Sequence, residues 1–236
     1  MTPDSRTRIA ALGALGVLAL TAALAGTPSA LAAQTPKRAP LTPAIVAERE
    51  ARVTAADRAR IRGNTDAPVW VVVISDYQCP FCKKWHDETE PRITAEYVRT
   101  GKVQIAYINY PIPSIHANAP ATHEAAMCAA EQGKFWPVSD ALFATQAQWK
   151  SRKDIARFAD SLALAAGVEP ARFRSCITDG IMKPLIEADV DRSTRIGVGS
   201  TPSFLVGGRP LVGAQPFEAF KQAIDAALAA AAKPKP

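Results

Sequence analysis

Two apolar segments separated by an amphipathic stretch stand out in the first half of the chain. Segment 69–74 reads Val-Trp-Val-Val-Val-Ile, and segment 103–108 reads Val-Gln-Ile-Ala-Tyr-Ile. Short apolar runs rich in β-branched residues are typical of buried strands. Between them, Phe81 and Trp85 are spaced as on one helix face, and Pro91 predicts a kink. The pattern predicts strand, helix, strand, with parallel strands because the connection is long enough for a crossover.

The segment from about 117 to 196 is dominated by helical periodicity. Ala, Leu, Phe and Trp recur there at helical spacing, and strand signals are few. This predicts an all-helical insert, whose aromatic side chains we expect in its core rather than around a cofactor. Five residues are predicted to end or interrupt its helices: Gly133, Pro137, Gly167, Pro170 and Pro184.

A hairpin and a final helix are predicted after the insert. Residues 203–206 have a strand pattern, Gly207-Gly208 suits a tight turn, and residues 209–212 supply the return strand. Pro216 opens a helix whose apolar side chains share one face. Without the insert, the order is βαβ followed by ββα, which predicts an α/β fold.

The N-terminal part of the chain contains a leader pattern. Arg6 and Arg8 precede an apolar run over 9–25, and small residues around Ala32 and Ala33 suit cleavage. This order predicts a secretory signal peptide over residues 1–33. The alternative is an uncleaved anchor, because 17 apolar residues are only slightly short for a membrane span.

Residues 34–63 are predicted to form a tether followed by a helix. The segment 34–41 is polar and contains prolines, whereas Thr42 suits an N-cap and Pro43 a first helical position. The helix, predicted from Thr42 to Arg62, has only a weak apolar stripe. It either lies on the domain as a cap or pairs with copies of itself in an oligomer, so the oligomeric state stays open.

Charge and cysteine content limit the function classes. The chain carries 28 Lys and Arg against 22 Asp and Glu, a formal net charge of +6. Because these charges are scattered with no basic block, nucleic-acid binding has no support. Four cysteines in an exported chain suit an oxidising compartment, and no further long apolar run follows the leader. These features predict a soluble mature protein.

The pair Cys79 and Cys82 lies where the first predicted helix begins. Free N–H groups and the helix dipole stabilise an anion there, so Cys79 should ionise readily and act as a nucleophile. Pro80 suits the first helical turn, and Cys82 lies one turn along, placed to resolve a mixed disulfide. Two other interpretations are half of a zinc site and a purely structural disulfide. Zinc would need further ligands at matching spacing, so we predict neither metal nor cofactor.

Three segments together resemble the DsbA-like branch of the thioredoxin superfamily, the exported thiol:disulfide oxidoreductases. They are Ser75-Asp-Tyr-Gln-Cys-Pro-Phe-Cys82, the segment Cys128–Trp136, and Ser200-Thr-Pro-Ser-Phe204. The resemblance covers about residues 64–230. It implies a thioredoxin fold over residues 64–232, interrupted by the helical insert.

The resemblance also implies roles for single residues. In the family, the residue before a cis-proline forms a shelf beside the redox pair, where substrate backbone docks. Thr201 and Pro202 take these positions here. Members with a second disulfide imply a structural bridge between Cys128 and Cys176; the alternative is two unpaired buried thiols.

Further residues are predicted to tune the redox pair. Pro80 and Phe81 stand between the cysteines, and Phe81 departs from the histidine of strong oxidants in the family because it cannot donate a hydrogen bond to the thiolate. Asp76 is the candidate buried acid that handles the Cys82 proton. His86 is interpreted either as a half-exposed helix residue or as a proton relay. The two other histidines, His116 and His123, show no ligand spacing.

The predicted function is a periplasmic oxidase that donates the Cys79–Cys82 disulfide to reduced or unfolded exported proteins. A membrane redox partner is expected to reoxidise the pair. The alternatives are an isomerase or reductase, possibly oligomeric through the N-terminal helix, and a non-catalytic chaperone-like binding module. If the leader is retained, the protein would be anchored to the membrane and face the periplasm.

Overall fold

A five-stranded sheet is the centre of the computed structural model, which describes residues 42–233. The predicted signal peptide and tether lie outside these residues. The strand order is β1-β3-β2-β4-β5. The strands are β1 (Ile61–Arg62), β2 (Val69–Ser75), β3 (Val103–Asn109), β4 (Ser203–Val206) and β5 (Arg209–Val212).

The helices cover most of the remaining described residues. Within residues 42–233, no helix has the length and apolar character needed to cross a membrane. The helices are α1 (Pro43–Ala59), α2 (Pro80–Glu88), α3 (Glu90–Ile93), a π-helical turn (Thr94–Val98), α4 (Ala119–Ala130), α5 (Phe135–Ala144), α6 (Gln146–Trp149), α7 (Ile155–Ala165), α8 (Pro170–Asp179), α9 (Lys183–Arg195) and α10 (Phe217–Ala231).

The sheet has the predicted βαβ–ββα connectivity. Strands β2 and β3 are parallel, with Val69 opposite Val103, and β4 runs antiparallel to β2 and to β5. One face of β2, β3 and β4 packs with α2, the π-helical turn and α10 in an apolar core. The thioredoxin-like α/β fold predicted from the sequence is therefore confirmed.

The prediction that the N-terminal helix extends to Arg62 is wrong by three residues. Helix α1 ends at Ala59, and Ile61–Arg62 form β1, antiparallel to β3. The Arg60 carbonyl accepts a hydrogen bond from Tyr107 N–H at 3.1 Å. Strand β1 pairs with the edge of β3 and satisfies backbone N–H and C=O groups of that strand. A helix extending to Arg62 would leave these groups of β3 without partners from β1.

Helix α1 lies on the helical insert, and charged side chains attach it. The Arg52 guanidinium is buried against Glu131, the residue that follows α4, with Nη2 at 2.7 Å from Oε1. Arg60, directly after the helix, forms a buried ion pair with Asp189 of α9. These contacts explain how a helix with a weak apolar stripe packs against the domain.

The helix that begins at the two cysteines is interrupted near Pro91, as the sequence pattern predicts. Helix α2 ends at Glu88, and α3 begins at Glu90 with Pro91 in its first turn. Proline lacks the N–H that a continuous helix would need at this position.

In the insert, by contrast, the predicted break at Pro137 is wrong. Pro137 lies in the first turn of α5, where N–H groups have no intrahelical partner.

A disulfide joins two helices of the insert. Cys128 of α4 and Cys176 of α8 are bonded, with Cα atoms 5.7 Å apart, and both side chains are fully buried. They belong to a second apolar core that also contains Tyr77, Cys79 and Cys82. The redox motif therefore packs directly against the insert.

Candidate active site

The two redox cysteines lie at the start of α2. Cys79 is the N-cap, Pro80 occupies the first turn, and Cys82 is one turn along. The two sulfurs are not bonded to each other, so the structure shows the dithiol form. Cys79 is 4% exposed and Cys82 is completely buried. Of the two sulfurs, only that of Cys79 is therefore placed to react with a thiol or disulfide of another protein.

The environment separates the acidities of the two thiols. A hydrogen bond with the Cys82 thiol is the largest influence on Cys79, and together with Thr201 and the N–H groups of Cys82 and Phe81 it lowers the Cys79 pKa to about 6. Burial raises the pKa of Cys82 well above its ordinary value. At neutral pH this difference favours a thiolate at Cys79 and a protonated thiol at Cys82.

The Thr201–Pro202 peptide lies beside Cys79. This bond is cis, and the protonated Cys79 thiol donates to the Thr201 carbonyl at 3.4 Å. Gly213 N–H already donates to the Pro202 carbonyl at 2.9 Å, which links this loop to the segment after β5. The structure thus brings a backbone segment 122 residues away in sequence against the nucleophilic sulfur.

The carboxylate of Asp76 is bonded to groups other than the Cys82 thiol. It accepts hydrogen bonds from Gln78 N–H at 2.7 Å and Ile112 N–H at 2.9 Å, and it pairs with His116 Nδ1 at 2.9 Å. The contact of Asp76 with Cys82 is made by its backbone N–H, 3.4 Å from the sulfur. The residue is buried as predicted, but its role as the acid that handles the Cys82 proton stays a prediction.

Comparison with known proteins agrees with this geometry. A family model described as Thioredoxin matches residues 55–226, most of the chain. The chain belongs to the thioredoxin family. Oxidised BdbD from Bacillus subtilis superposes with a TM-score of 0.66 at 21% identity, covering 72% of this chain and 92% of that chain. The structure of alpha-DsbA1 from Wolbachia pipientis superposes with a TM-score of 0.64 at 19% identity, covering 73% of this chain and 92% of that chain. At these identities the structures show a shared fold.

The related sequences include proteins of two kinds. The probable disulfide bond formation protein D of Bacillus anthracis is 29% identical over 170 residues, which are 70% of this chain and 76% of that protein. The Na(+)/H(+) antiporter NhaA 3 of Salinispora tropica is 35% identical over 175 residues, which are 74% of this chain and 26% of the antiporter. This thioredoxin-family chain therefore spans about a quarter of the length of that antiporter.

Sequence reasoning missed a polar clamp that holds the redox loop, residues 76–79, which leads into α2. Gln146 of α6 donates from Nε2 to the carbonyls of Tyr77 at 2.7 Å and Cys79 at 3.0 Å. Gln78 contacts the insert as well, donating to the Lys150 carbonyl at 2.9 Å. Because these partners are about 70 residues apart, no local spacing indicated the clamp.

Two histidines near the redox loop have structural partners. His123 is completely buried, which lowers its pKa to about 4, and its Nε2 accepts from Tyr77 N–H at 3.4 Å. His86 is more buried than expected: its ring stacks on Phe143, and Nδ1 lies 2.9 Å from a Glu90 carboxylate oxygen. Burial opposes the charged form of His86, but the hydrogen bond with Glu90 and the negative charges of Glu90, Asp140 and Asp87 together outweigh it and raise the pKa. Among residues 42–233, no cluster of His, Cys, Asp or Glu could hold a metal ion.

The low pKa of Cys79 gives a direct expectation. Thiolate absorbance of the reduced protein should titrate with a midpoint at about 6. Cys79→Ser should abolish this transition, and Cys82→Ala should raise its midpoint because the largest stabilising contact is lost. A wild-type midpoint near the ordinary value of 9.0 would contradict the assignment.

The same shift makes the stability of the reduced protein depend on pH. Between about 6 and 9.0 the unfolded chain binds the Cys79 proton and the folded chain does not. The contribution of Cys79 to stability is therefore complete above pH 9 and is lost as the pH falls through 6. The oxidised protein, which has no thiol at this position, should lack this dependence.

Proposed function

We propose that this chain is an exported thiol:disulfide oxidoreductase that oxidises reduced, unfolded proteins through Cys79 and Cys82. The observation that carries the proposal is the opposed acidity of the two thiols at one helix start. A thiolate at Cys79 stabilises the reduced pair, and a dithiol stabilised in this way tends to give its disulfide away. The name of the Bacillus relative, a disulfide bond formation protein, supports the same direction.

The catalytic cycle follows from the two environments. A substrate thiolate attacks the Cys79 sulfur of the disulfide, which forms a mixed disulfide at Cys79 and releases Cys82. A second substrate thiolate attacks the substrate sulfur, forms the substrate disulfide and releases Cys79 as a stabilised thiolate. Two electrons pass from the substrate to the protein, Cys82 takes up one proton, and Cys79 stays unprotonated. A membrane redox partner would then reoxidise the pair.

Surface features suit an unfolded protein as substrate. Phe81, between the two cysteines, is 62% exposed, and Ile115 and Ile196 are 70% and 61% exposed. Ile115 lies on the loop that Asp76 holds, and Ile196 is five residues before Thr201. Exposed apolar side chains on segments adjoining a redox pair favour contact with unfolded chains. Thr201 and Pro202 would offer backbone groups to the extended substrate beside Cys79.

The location and strength of the oxidase are part of the proposal. Export through the N-terminal leader would place the domain in the periplasm, either free or held by an uncleaved leader. The side chain of Phe81 offers no hydrogen bond to the Cys79 thiolate, so the pair should be a milder oxidant than relatives with a side-chain donor at that position.

The activity can be tested with ribonuclease in two starting forms. We expect the oxidised chain to restore activity to reduced, unfolded ribonuclease, because the pair donates its disulfide. If ribonuclease activity is regained from the scrambled form alone, the chain is an isomerase. If it is regained from neither form, the chain is a non-catalytic binding module. The matched control is the same protein with Cys79 alkylated, which keeps the Cys128–Cys176 bridge.

A further inference from the structure

The three most exposed large apolar side chains of residues 42–233 lie on segments that adjoin the redox site. Phe81 stands between the two cysteines, Ile115 lies on the loop after β3, and Ile196 lies on the segment that leads from α9 to Thr201. Exposed apolar groups gathered at one site are typical of a surface that binds another chain. The contacts that hold these segments in place therefore bear on how a substrate is recognised.

The side chain of Asp76 joins the redox loop to a second loop. One carboxylate oxygen accepts a hydrogen bond from Gln78 N–H at 2.7 Å, within the redox loop. The other oxygen accepts from Ile112 N–H and lies against His116 Nδ1, both at 2.9 Å. The last two residues belong to the loop between β3 and α4, residues 110–118. One completely buried side chain thus fastens the 110–118 loop to the redox loop.

His116 is the hydrogen-bond donor in its contact with Asp76. An ionised carboxylate can only accept, so Nδ1 of His116 carries the proton that lies between the two side chains. The side chain of Asp76 is completely buried, and that of His116 is 14% exposed. A buried carboxylate depends on such donors, because a buried charge without partners is costly. The contact therefore keeps His116 and its neighbours at the redox loop.

The two residues that Asp76 holds lie on either side of Ile115. Ile112 comes three residues before it, and His116 follows it directly. Both Ile115 N–H and His116 N–H donate to the Ile112 carbonyl, at 3.1 and 2.9 Å. The turn is therefore closed by its own backbone and anchored at both ends. It presents Ile115, whose exposed fraction is 70%, from a fixed position.

The segment that carries Ile196 is attached to the same loop. The Tyr110 hydroxyl donates to the Val198 carbonyl at 3.0 Å and lies 3.3 Å from the Thr194 hydroxyl. Val198 and Thr194 each lie two residues from Ile196, one on either side, and the segment continues to Thr201. The 110–118 loop therefore bridges the redox loop and the segment that precedes the cis peptide bond.

Building on the function proposed above, we propose that Asp76 and His116 are positioning residues for the recognition of unfolded protein. They hold the 110–118 loop so that Ile115 packs on apolar side chains of an extended substrate whose thiol reacts at Cys79. A folded protein buries most such side chains, and a small disulfide reacts at the sulfur with few other contacts. The loop therefore favours unfolded proteins over both as partners of the redox pair.

Binding of a permanently unfolded protein isolates this contact from the redox chemistry. The probe is ribonuclease that has been reduced and carboxamidomethylated at its cysteines, and its Kd for the reduced chain is measured by fluorescence anisotropy. Ile115→Ser should raise the Kd about tenfold, the loss expected when one large apolar side chain is no longer buried on binding. The matched control is Ile45→Ser at an exposed position of α1, which should leave the Kd unchanged.

Two substitutions at His116 separate the hydrogen bond from the rest of the side chain. His116→Leu has no group that donates to Asp76, so the loop loosens and must be ordered on binding. The Kd should rise about threefold to tenfold. His116→Asn places an amide N–H close to the position of Nδ1 and should keep the Kd within about twofold of the wild-type value.

A small disulfide shows whether the redox pair itself has changed. The reduced chain is mixed with 5,5′-dithiobis(2-nitrobenzoate), and attack by Cys79 releases a coloured thiolate. Ile115→Ser and His116→Leu should release it at the wild-type rate, because neither variant alters the helix start that holds the sulfur. The combination of weaker protein binding and an unchanged rate with the small disulfide is the result expected of a positioning role.

Each other outcome counts against a specific claim. An unchanged Kd in Ile115→Ser, or no measurable binding by the wild-type chain, overturns the role of the 110–118 loop. Equal losses in His116→Asn and His116→Leu, or equal slowing of the small disulfide, overturn the positioning role of His116. Failure of the wild-type chain to oxidise reduced ribonuclease contradicts the proposed function instead, and binding of the alkylated ribonuclease still decides the role of the loop.

Discussion

Replacement of Cys79 by serine is expected to lower the oxidation of reduced ribonuclease by about a thousandfold or more, to the uncatalysed background. A serine hydroxyl does not form an anion at the start of α2, and no disulfide remains to be donated. The Cys82→Ser variant should behave differently. Its Cys79 thiolate remains, so it should react with a disulfide-containing protein and remain joined to it, because no second thiol resolves the bond.

These two variants form a matched pair, since each changes one sulfur to oxygen within the same helical turn. Non-reducing electrophoresis and mass measurement would show the joined species for Cys82→Ser and none for Cys79→Ser. Melting temperatures close to that of the reduced wild-type protein would show that both fold. Trapping by Cys79→Ser through Cys82 would contradict the assigned roles, because the structure buries Cys82 completely.

Loss of the Cys128–Cys176 bridge should reduce the free energy of unfolding by roughly 3–4 kcal/mol, by the loop-closure argument. The bridge joins residues 48 apart in sequence and ties α4 to α8 within the core that packs on the redox motif. A Cys128→Ala/Cys176→Ala variant removes it without introducing a buried hydroxyl. Urea unfolding of this variant and the wild-type chain, both with Cys79 and Cys82 oxidised, gives the difference.

Thiol counting supplies an independent check of the same bridge. Mild reductant should free two thiols in the native protein, at Cys79 and Cys82, and four after denaturation with reductant. The redox pair opens first because its reduced form is stabilised by the Cys79 thiolate. Four accessible thiols in the native protein under mild glutathione, or equal stability of the double variant, would show that the bridge has no structural role.

The local patterns of the sequence were sufficient for four of the five strands and for the position of Cys79 at a helix start. Strands β2 and β3 follow from their apolar runs, and Cys79 follows from its position at a helix start. Both depend on neighbours in sequence. The short strand β1 could not be predicted, because only pairing with β3 turns Ile61–Arg62 out of the helix that precedes them.

Long-range polar contacts account for most of what the sequence did not show. Arg52 and Glu131 are 79 residues apart, and Gln146 reaches a carbonyl 67 residues away at Cys79. Asp76 shows a further limit of sequence reasoning. Its residue type and its burial suggest an acid that exchanges a proton with Cys82. In the structure, however, the Asp76 carboxylate is bonded to Ile112 N–H and His116, and only the Asp76 backbone N–H contacts the Cys82 sulfur.

The central claim is that this pair donates its disulfide to unfolded protein, and a count of thiols on both proteins tests it most directly. Oxidised chain would be mixed with an equal amount of reduced, unfolded ribonuclease, quenched with an alkylating reagent, and each protein weighed by mass spectrometry. The account predicts two alkylated thiols appearing at Cys79 and Cys82 as two disappear from ribonuclease. Ribonuclease thiols that stay reduced while Cys79 and Cys82 stay bonded would contradict it.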